Sequence, residues 1–246
     1  MTTIRKKISS SILQLLTISS LLVFPMAAQS QTAKVEKEIK KEVKKATNEK
    51  DTRFYRGTSI GLEIAGMGSY FLGSDIFNTE VQVQSNLLNK YMPVVEIGLG
   101  KTDATSDDTD IHYKTSAPYF RIGMDYNFMH GKPHLPGMLL GGLRYGFSSF
   151  KYDVDGPTMT DPNFGGVIET PFSYTGEKCT AHWIEAVVGL KVKIFKGFCM
   201  GWSARYKKKF SLSKNENSEP WYVPGFGKNS SSSFNLSYHL IYNLPF

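Results

Sequence analysis

Apolar and polar side chains alternate along the last stretch of the chain. Phe234, Leu236, Tyr238 and Leu240 fall on one side of this alternation, which continues to the last residue. Successive side chains of a β-strand point to opposite faces, so a period of two predicts a strand with one apolar face. Seven earlier segments repeat the pattern, and they cover residues 57–70, 79–87, 92–102, 118–128, 137–152, 181–195 and 198–212. The chain is therefore predicted to be all-β, with eight strands.

The polar faces of these segments favour a membrane barrel over a soluble sandwich. They combine glycine with charges of both signs, and the charges expected to form an interior network are Glu63, Glu96, Arg121, Asp125, Arg144, Glu185, Lys191 and Arg205. Eight strands enclose room only for side chains, and buried charges need partners. We expect an antiparallel up-and-down transmembrane barrel over residues 53–246, with these charges as a plug. A narrow ion path is the alternative.

The connections between the segments also favour this fold. Outer-membrane barrels alternate long external loops with short periplasmic turns. Long connections are predicted near Gly73, Asp107, Asp161 and Asn217, and shorter ones near Asn89, Gly131 and Lys196. Eight strands return the chain to the side on which it began, so both termini are expected in the periplasm.

Residues 1–30 have the layout of a secretory signal peptide. Arg5, Lys6 and Lys7 precede an apolar run, Pro25 ends the run, and small residues follow. The run is too short and too interrupted for a membrane-spanning helix. Residues 31–52 are rich in Lys and Glu and are predicted to form a charged periplasmic tether. Export and a barrel together predict the outer membrane of a Gram-negative cell.

Composition narrows the possible functions. The chain of 246 residues carries a formal charge of +7, but most of this excess lies before residue 53, which argues against nucleic-acid binding. Cys179 and Cys199 fall at opposite ends of one predicted strand, too far apart for a disulfide bond, so free thiols are expected. Two Cys and five scattered His show no zinc-ligand spacing. We expect neither a metal nor a cofactor.

Two resemblances accompany these patterns. The C-terminal run with Tyr242, Leu244 and Phe246 resembles the insertion signal of outer-membrane proteins, which implies recognition by the barrel-assembly machinery. The body resembles an uncharacterised domain-of-unknown-function family of predicted small outer-membrane β-barrels from Bacteroides-like bacteria. The motifs that carry this resemblance lie at 93–98, 142–148, 183–185, 189–194, 201–207 and 220–227. The resemblance implies a location and a fold, and it implies no activity.

The expected role is structural or surface-binding, through the external loops. Trp221, Tyr222 and Phe226 could contact a sugar or a protein, although a lid over the barrel rim is the favoured interpretation of this loop. Expected partners are outer-membrane lipid and lipopolysaccharide, and the barrel is expected to be a monomer. An enzyme is not expected. The alternative is a lipid-modifying enzyme that uses Ser237 and His239, with an acid such as Glu63.

Overall fold

Eight long strands close into one antiparallel barrel. The computed structural model describes residues 53–132, 135–157, 159–161, 166–168, 172–213 and 215–245. The predicted signal peptide, the predicted tether and Phe246 lie outside the described residues. The barrel strands are β1 (Tyr55–Glu63), β2 (Ile76–Leu87), β3 (Tyr91–Thr105), β4 (His112–Asn127), β5 (Gly137–Asp155), β8 (Ser173–Phe195), β9 (Phe198–Leu212) and β12 (Ser232–Asn243). Each pairs with its neighbours along the chain, and β12 closes onto β1. The predicted all-β, eight-stranded up-and-down barrel is confirmed.

Smaller elements lie between the barrel strands. Helix α1 (Ala65–Phe71) follows β1, and two short hairpins are formed by β6 (Met159–Asp161) with β7 (Gly166–Ile168) and by β10 (Tyr222–Val223) with β11 (Gly227–Lys228). We call the end of the barrel that carries α1 and β10–β11 the far rim, and the opposite end, where β1 begins and β12 ends, the near rim. Within the described ranges, no helix is long and apolar enough to cross a membrane.

The period of two in the sequence separates the two faces of the wall. Along β3, Val95, Ile97 and Leu99 are exposed on the outside, whereas Val94 and Glu96 are buried inside. The other barrel strands repeat this arrangement, with apolar side chains outward and the buried charged side chains inward. The distribution of apolar and charged side chains is therefore the reverse of that in a soluble protein, in which apolar side chains lie inside. Both cysteines are buried free thiols, as expected.

Two of the three connections at the near rim are short, whereas residues 128–136 separate β4 from β5. Leu88 and Asn89 both adopt positive φ in the β2–β3 turn, and Gly197 does so between β8 and β9. The far rim differs from expectation, because β3 and β4 continue until only residues 106–111 separate them. The connection near Asp107 was predicted to be long, and that prediction is wrong because paired strand takes up most of it.

The first strand is shorter than its pattern suggests. Alternation predicts a strand to Tyr70, but β1 ends at Glu63 and α1 follows. The Glu63 carboxylate accepts hydrogen bonds from the backbone N–H groups of Ala65 (2.9 Å) and Gly66 (3.1 Å), which turns the chain. Gly66 lies so close to Asn78 that a Cβ atom on it would clash with the Asn78 carbonyl oxygen. The hydrogen bonds of the Glu63 carboxylate and the close contact between Gly66 and Asn78 thus end the strand, although the alternating sequence continues.

Large aromatic side chains fill the far half of the lumen. Tyr119 and Trp183 are fully buried there. Each lies against an inward glycine, because a Cβ atom on Gly98 would clash with the Tyr119 ring and one on Gly146 would clash with the Trp183 ring. The inward glycines thus provide the space that the rings occupy.

The Gly98→Ala substitution should destabilise the barrel by about 1–3 kcal/mol, because the added methyl group displaces the enclosed Tyr119 ring. Gly131→Ala is the matched control, since a Cβ atom there meets nothing within 4 Å. Urea titration monitored by heat-dependent gel mobility measures both. Equal midpoints for the two variants would contradict the close packing of Tyr119.

Candidate functional site

A network of charges occupies the middle of the lumen, and Glu96 lies at its centre. Glu96 is fully buried on β3, and its carboxylate contacts guanidinium groups from three other strands. The N–O distances are 3.1 Å to Arg121, 2.5 Å to Arg144 and 3.1 Å to Arg205. One inward carboxylate thus connects β3 with β4, β5 and β9.

Glu80 of β2 forms the second centre of the network. Arg121 and Arg205 both pair with it, the latter at 2.6 Å. The Tyr119 hydroxyl donates a hydrogen bond to Glu80 at 3.0 Å, and His239 Nε2 lies 3.1 Å from its Oε1 atom. Glu80 was not among the predicted network residues. Its alternation with Gln82 and Gln84 is the signal that could have identified it.

Two further carboxylates complete the network. Glu185 lies 2.8 Å from Arg121 Nε and accepts a hydrogen bond from the Trp183 indole N–H at 2.6 Å. Asp125 pairs with Arg144 at 3.1 Å and accepts a hydrogen bond from Gln84 at 2.9 Å. In each case the neutral donor and the guanidinium group share one carboxylate oxygen, namely Oε1 of Glu185 and Oδ2 of Asp125.

The structure places all eight predicted network residues inside the barrel, and it joins six of them. Glu63 instead binds the backbone of α1, and the Lys191 ammonium donates to Ser59 Oγ at 3.0 Å. Glu80, Lys207 and His239 belong to the interior but were not in the predicted set. Among the described residues, five buried carboxylates thus face five buried Lys or Arg side chains. The lumen is close to electrically neutral.

The β10–β11 hairpin folds into the far half of the lumen. Tyr222 and Phe226 are each only 1% exposed. The hairpin carbonyls bind cations of the wall, since Arg121 donates to Gly225 O at 2.8 Å and Lys207 donates to the same oxygen at 2.7 Å. The Tyr113 hydroxyl donates to Tyr222 O at 2.8 Å. The hairpin is therefore an internal plug.

This placement corrects the proposed loop-binding set. Tyr222 and Phe226 are enclosed, so their rings are not available to an external partner in this structure. Trp221 remains 41% exposed, with the Lys228 ammonium over its ring at 5.3 Å. The proline and glycines of this loop favour a compact turn, and the space beside Gly100, which Pro224 occupies, admits that turn to the lumen. The loop thus lies inside the rim rather than across it.

The space that remains in the near half of the lumen is small. A cavity of about 30 Å³ lies among polar side chains that include Gln82, Asp125, Arg144, Lys191 and His239. A single buried water needs at least about 10–15 Å³ of such space, so this cavity has room for at most about two or three waters. Among the described residues, no cluster of His, Cys, Asp and Glu suits a metal ion.

Ser237 and His239 are both buried on β12, but no nucleophile–base pair joins them. His239 Nε2 contacts Glu80 and Arg205 instead. The Ser237 hydroxyl accepts a hydrogen bond from the Asn235 amide at 3.3 Å. Within the described residues, the hydrogen bond between Ser237 and His239 that would activate a nucleophile is not formed. His239 instead serves the charge network.

The comparison with protein families identifies the group to which the sequence belongs. A family model described as "Domain of unknown function (DUF6048)" matches residues 8–246. The chain belongs to this family. No curated protein matches the DUF6048 chain in sequence.

Solved structures of outer-membrane proteins are similar to the DUF6048 barrel. A major outer membrane protein from Thermus thermophilus is 11% identical and has a TM-score of 0.44, over 78% of this chain and 100% of that chain. Ail, the attachment invasion locus protein of Yersinia pestis, is 9% identical with a TM-score of 0.39, over 76% and 98% of the two chains.

Charges at the far rim of the DUF6048 barrel join neighbouring strands. His112 Nε2 lies 2.8 Å from Asp103 Oδ1, and Lys114 pairs with the other oxygen at 3.0 Å. Hydrogen bonds from His112 and then Lys114 lower the pKa of Asp103. This group is largely exposed, so it stabilises the rim only weakly. The strong electrostatic interactions of the protein lie inside the wall.

The Glu96→Gln substitution should destabilise the barrel by about 3–5 kcal/mol, because it leaves three buried guanidinium groups without their shared charge. Glu216→Gln is the control, since Glu216 is exposed at the far rim. Denaturant titration of the two purified variants measures the difference. A Glu96→Gln barrel as stable as the control would contradict the central role of this carboxylate.

Proposed function

We propose that this chain is a closed-lumen barrel of the outer membrane, whose role is structural or surface-binding and not catalytic. One observation carries the proposal. All eight strands expose apolar side chains on the outside of the ring, while ten charged side chains of the described residues are buried inside it. This distribution suits a protein whose outer solvent is hydrocarbon.

The apolar band has the height of a bilayer core. Along β8 it extends from Ile184 to Ile194 and includes the exposed Val188 and Leu190. Ten residues of strand span roughly 33 Å, which a tilt of about 40° reduces to roughly 25 Å along the barrel axis. Outer-membrane barrels carry an apolar band about 25 Å tall. A closed ring also pairs the backbone groups that hydrocarbon would leave unsatisfied.

The near rim is proposed to face the periplasm. Both described ends of the chain lie there, as a signal peptide followed by eight strands requires. Tyr242 lies outward and exposed near the end of β12, in keeping with the aromatic alternation of an insertion signal. We infer that the barrel-assembly machinery inserts the protein and that it works as a monomer, surrounded by outer-membrane lipid and lipopolysaccharide.

The far rim then faces the outside of the cell, and any external partner would bind there. Strands β3, β4, β5 and β8 continue as a paired sheet to Thr105, His112, Asp155 and Ser173. Trp221 offers an exposed ring beside this sheet. The closed lumen and the absence of a Ser237–His239 hydrogen bond among the described residues favour this role over transport or lipid modification.

The Leu143→Arg substitution tests the membrane-facing side. Leu143 is 70% exposed in the middle of the apolar band, so a charge there should cost about 2–4 kcal/mol of folding free energy in a bilayer. Ser149→Arg, on the same face beyond the band, should cost far less. Folding into phosphatidylcholine vesicles, measured by gel mobility, compares them. Equal folding of the two variants would contradict lipid contact.

Ionic conductance across a planar bilayer distinguishes a closed lumen from a narrow pore. Because the hairpin and the charge network fill the lumen, the full-length barrel should show no ionic conductance. Steady single-channel current from the purified protein, lost in a variant with altered lumen charges, would support the pore and overturn the closed lumen.

A further inference from the structure

One vertical column on the outer wall changes regularly in polarity. It consists of residue pairs that lie directly opposite each other on β5 and β8, namely Leu143–Ala186, Tyr145–Ile184, Phe147–His182, Ser149–Thr180 and Lys151–Lys178. From the middle of the wall toward the far rim, the pairs pass from aliphatic to aromatic, then to hydroxyl, and then to two ammonium groups. All ten side chains share the outer face, because they follow the same alternation along each strand.

The two lysines at the top of this column are an unfavourable pair by themselves. Like charges directly opposite on one face of a sheet repel each other. Lys151 and Lys178 are both exposed, and neither forms a salt bridge among the described residues.

The nearest acids of the sheet are engaged elsewhere. Asp153 Oδ1 accepts a hydrogen bond from the Gly176 N–H at 2.7 Å, and Asp155 accepts one from Ser173 at 2.7 Å. Asp103 pairs with Lys114 and His112. The Lys151–Lys178 pair thus makes no direct salt bridge with a carboxylate of the described residues, and an external anion would relieve the repulsion between the two ammonium groups.

The position of the Lys151–Lys178 pair on the wall indicates which kind of anion would bind to it. Lys151 lies four residues beyond Phe147, which corresponds to roughly 13 Å along the strand and roughly 10 Å along the tilted barrel axis. The aromatic pair Phe147–His182 lies where the apolar band ends. The lysines therefore lie at the level of lipid headgroups, above a surface that suits acyl chains.

We propose that this column binds the phosphorylated headgroup of an outer-leaflet saccharolipid, with phosphate on the Lys151–Lys178 pair, sugar hydroxyls beside Ser149 and Thr180, and acyl chains on the apolar wall below. This inference rests on the proposed membrane location and names a specific lipid site within it. A free phosphate ion would use the lysines alone, whereas a lipid uses the whole column.

The test compares the full-length barrel with the double variant Lys151→Gln, Lys178→Gln. Lys132→Gln, Lys196→Gln is the matched control, because it removes the same charge from exposed turns at the near rim. The probes are diphosphorylated lipid A and the same lipid after enzymatic dephosphorylation, with binding measured by native mass spectrometry. Inorganic phosphate in millimolar excess is the third probe. Heat-dependent gel mobility confirms that each variant is folded.

We expect the double variant to bind diphosphorylated lipid A about 10- to 30-fold more weakly, since each lysine contributes about three- to fivefold near an anionic surface. The control should change by less than about twofold, because its lysines lie far more than a Debye length away. All three proteins should bind dephosphorylated lipid equally, and inorganic phosphate should not displace the lipid.

Equal binding of diphosphorylated lipid A by the double variant and the control would overturn the proposal. Displacement of the lipid by inorganic phosphate would also overturn it, in favour of a simple anion site. Either result would leave the membrane location intact, because folding of the Leu143→Arg and Ser149→Arg variants in uncharged phosphatidylcholine tests that location separately.

Discussion

The pairing of buried carboxylates with buried guanidinium and ammonium groups is the constraint on which this barrel depends. A wall that faces apolar side chains outward must enclose its polar side chains, and an enclosed charge without a partner is costly. Glu96 and Glu80 meet this demand by each contacting cations from more than one strand. Where cations exceed the carboxylate contacts available, the hairpin carbonyls of Gly225 and Phe226 bind Lys207.

The network also links distant parts of the sequence. Arg205 reaches Glu80 across a separation of 125 residues, and His239 reaches the same carboxylate across 159. These contacts exist only when the ring has closed, because the strands involved are not sequence neighbours. These two contacts therefore stabilise the complete barrel, whereas Glu96–Arg121 and Asp125–Arg144 join adjacent strands and are available to a partly formed sheet. The contacts of Arg205 and His239 with Glu80 thus form at the same step as closure of the ring.

Much of this arrangement could be predicted from the sequence, because a strand encodes its two faces with a period of two. That period placed Arg121, Arg144 and Arg205 inside without any knowledge of their partners. It failed where a local contact competes with pairing, as at Glu63, whose carboxylate binds the backbone of α1 and ends β1. It could not place Tyr222 or Phe226, since a loop enters the lumen only if residues elsewhere leave space for it. Gly100, against which Pro224 and Tyr222 pack, provides part of that space, and its effect is visible only in three dimensions.

The early end of β1 has a mechanical consequence for the ring. Paired residues join β1 to β12 only from Ser59–Asn243 to Glu63–His239, whereas β5 and β8 are joined from Gly137–Val192 to Asp155–Ser173. Above Glu63, the short helix stands where a strand would otherwise continue. Five residue pairs join the first strand to the last and six join β1 to β2, whereas every other pair of neighbouring barrel strands is joined by at least ten. The β1–β12 pairing is thus the shortest connection in the ring, and a force that opens the barrel would separate these two strands first.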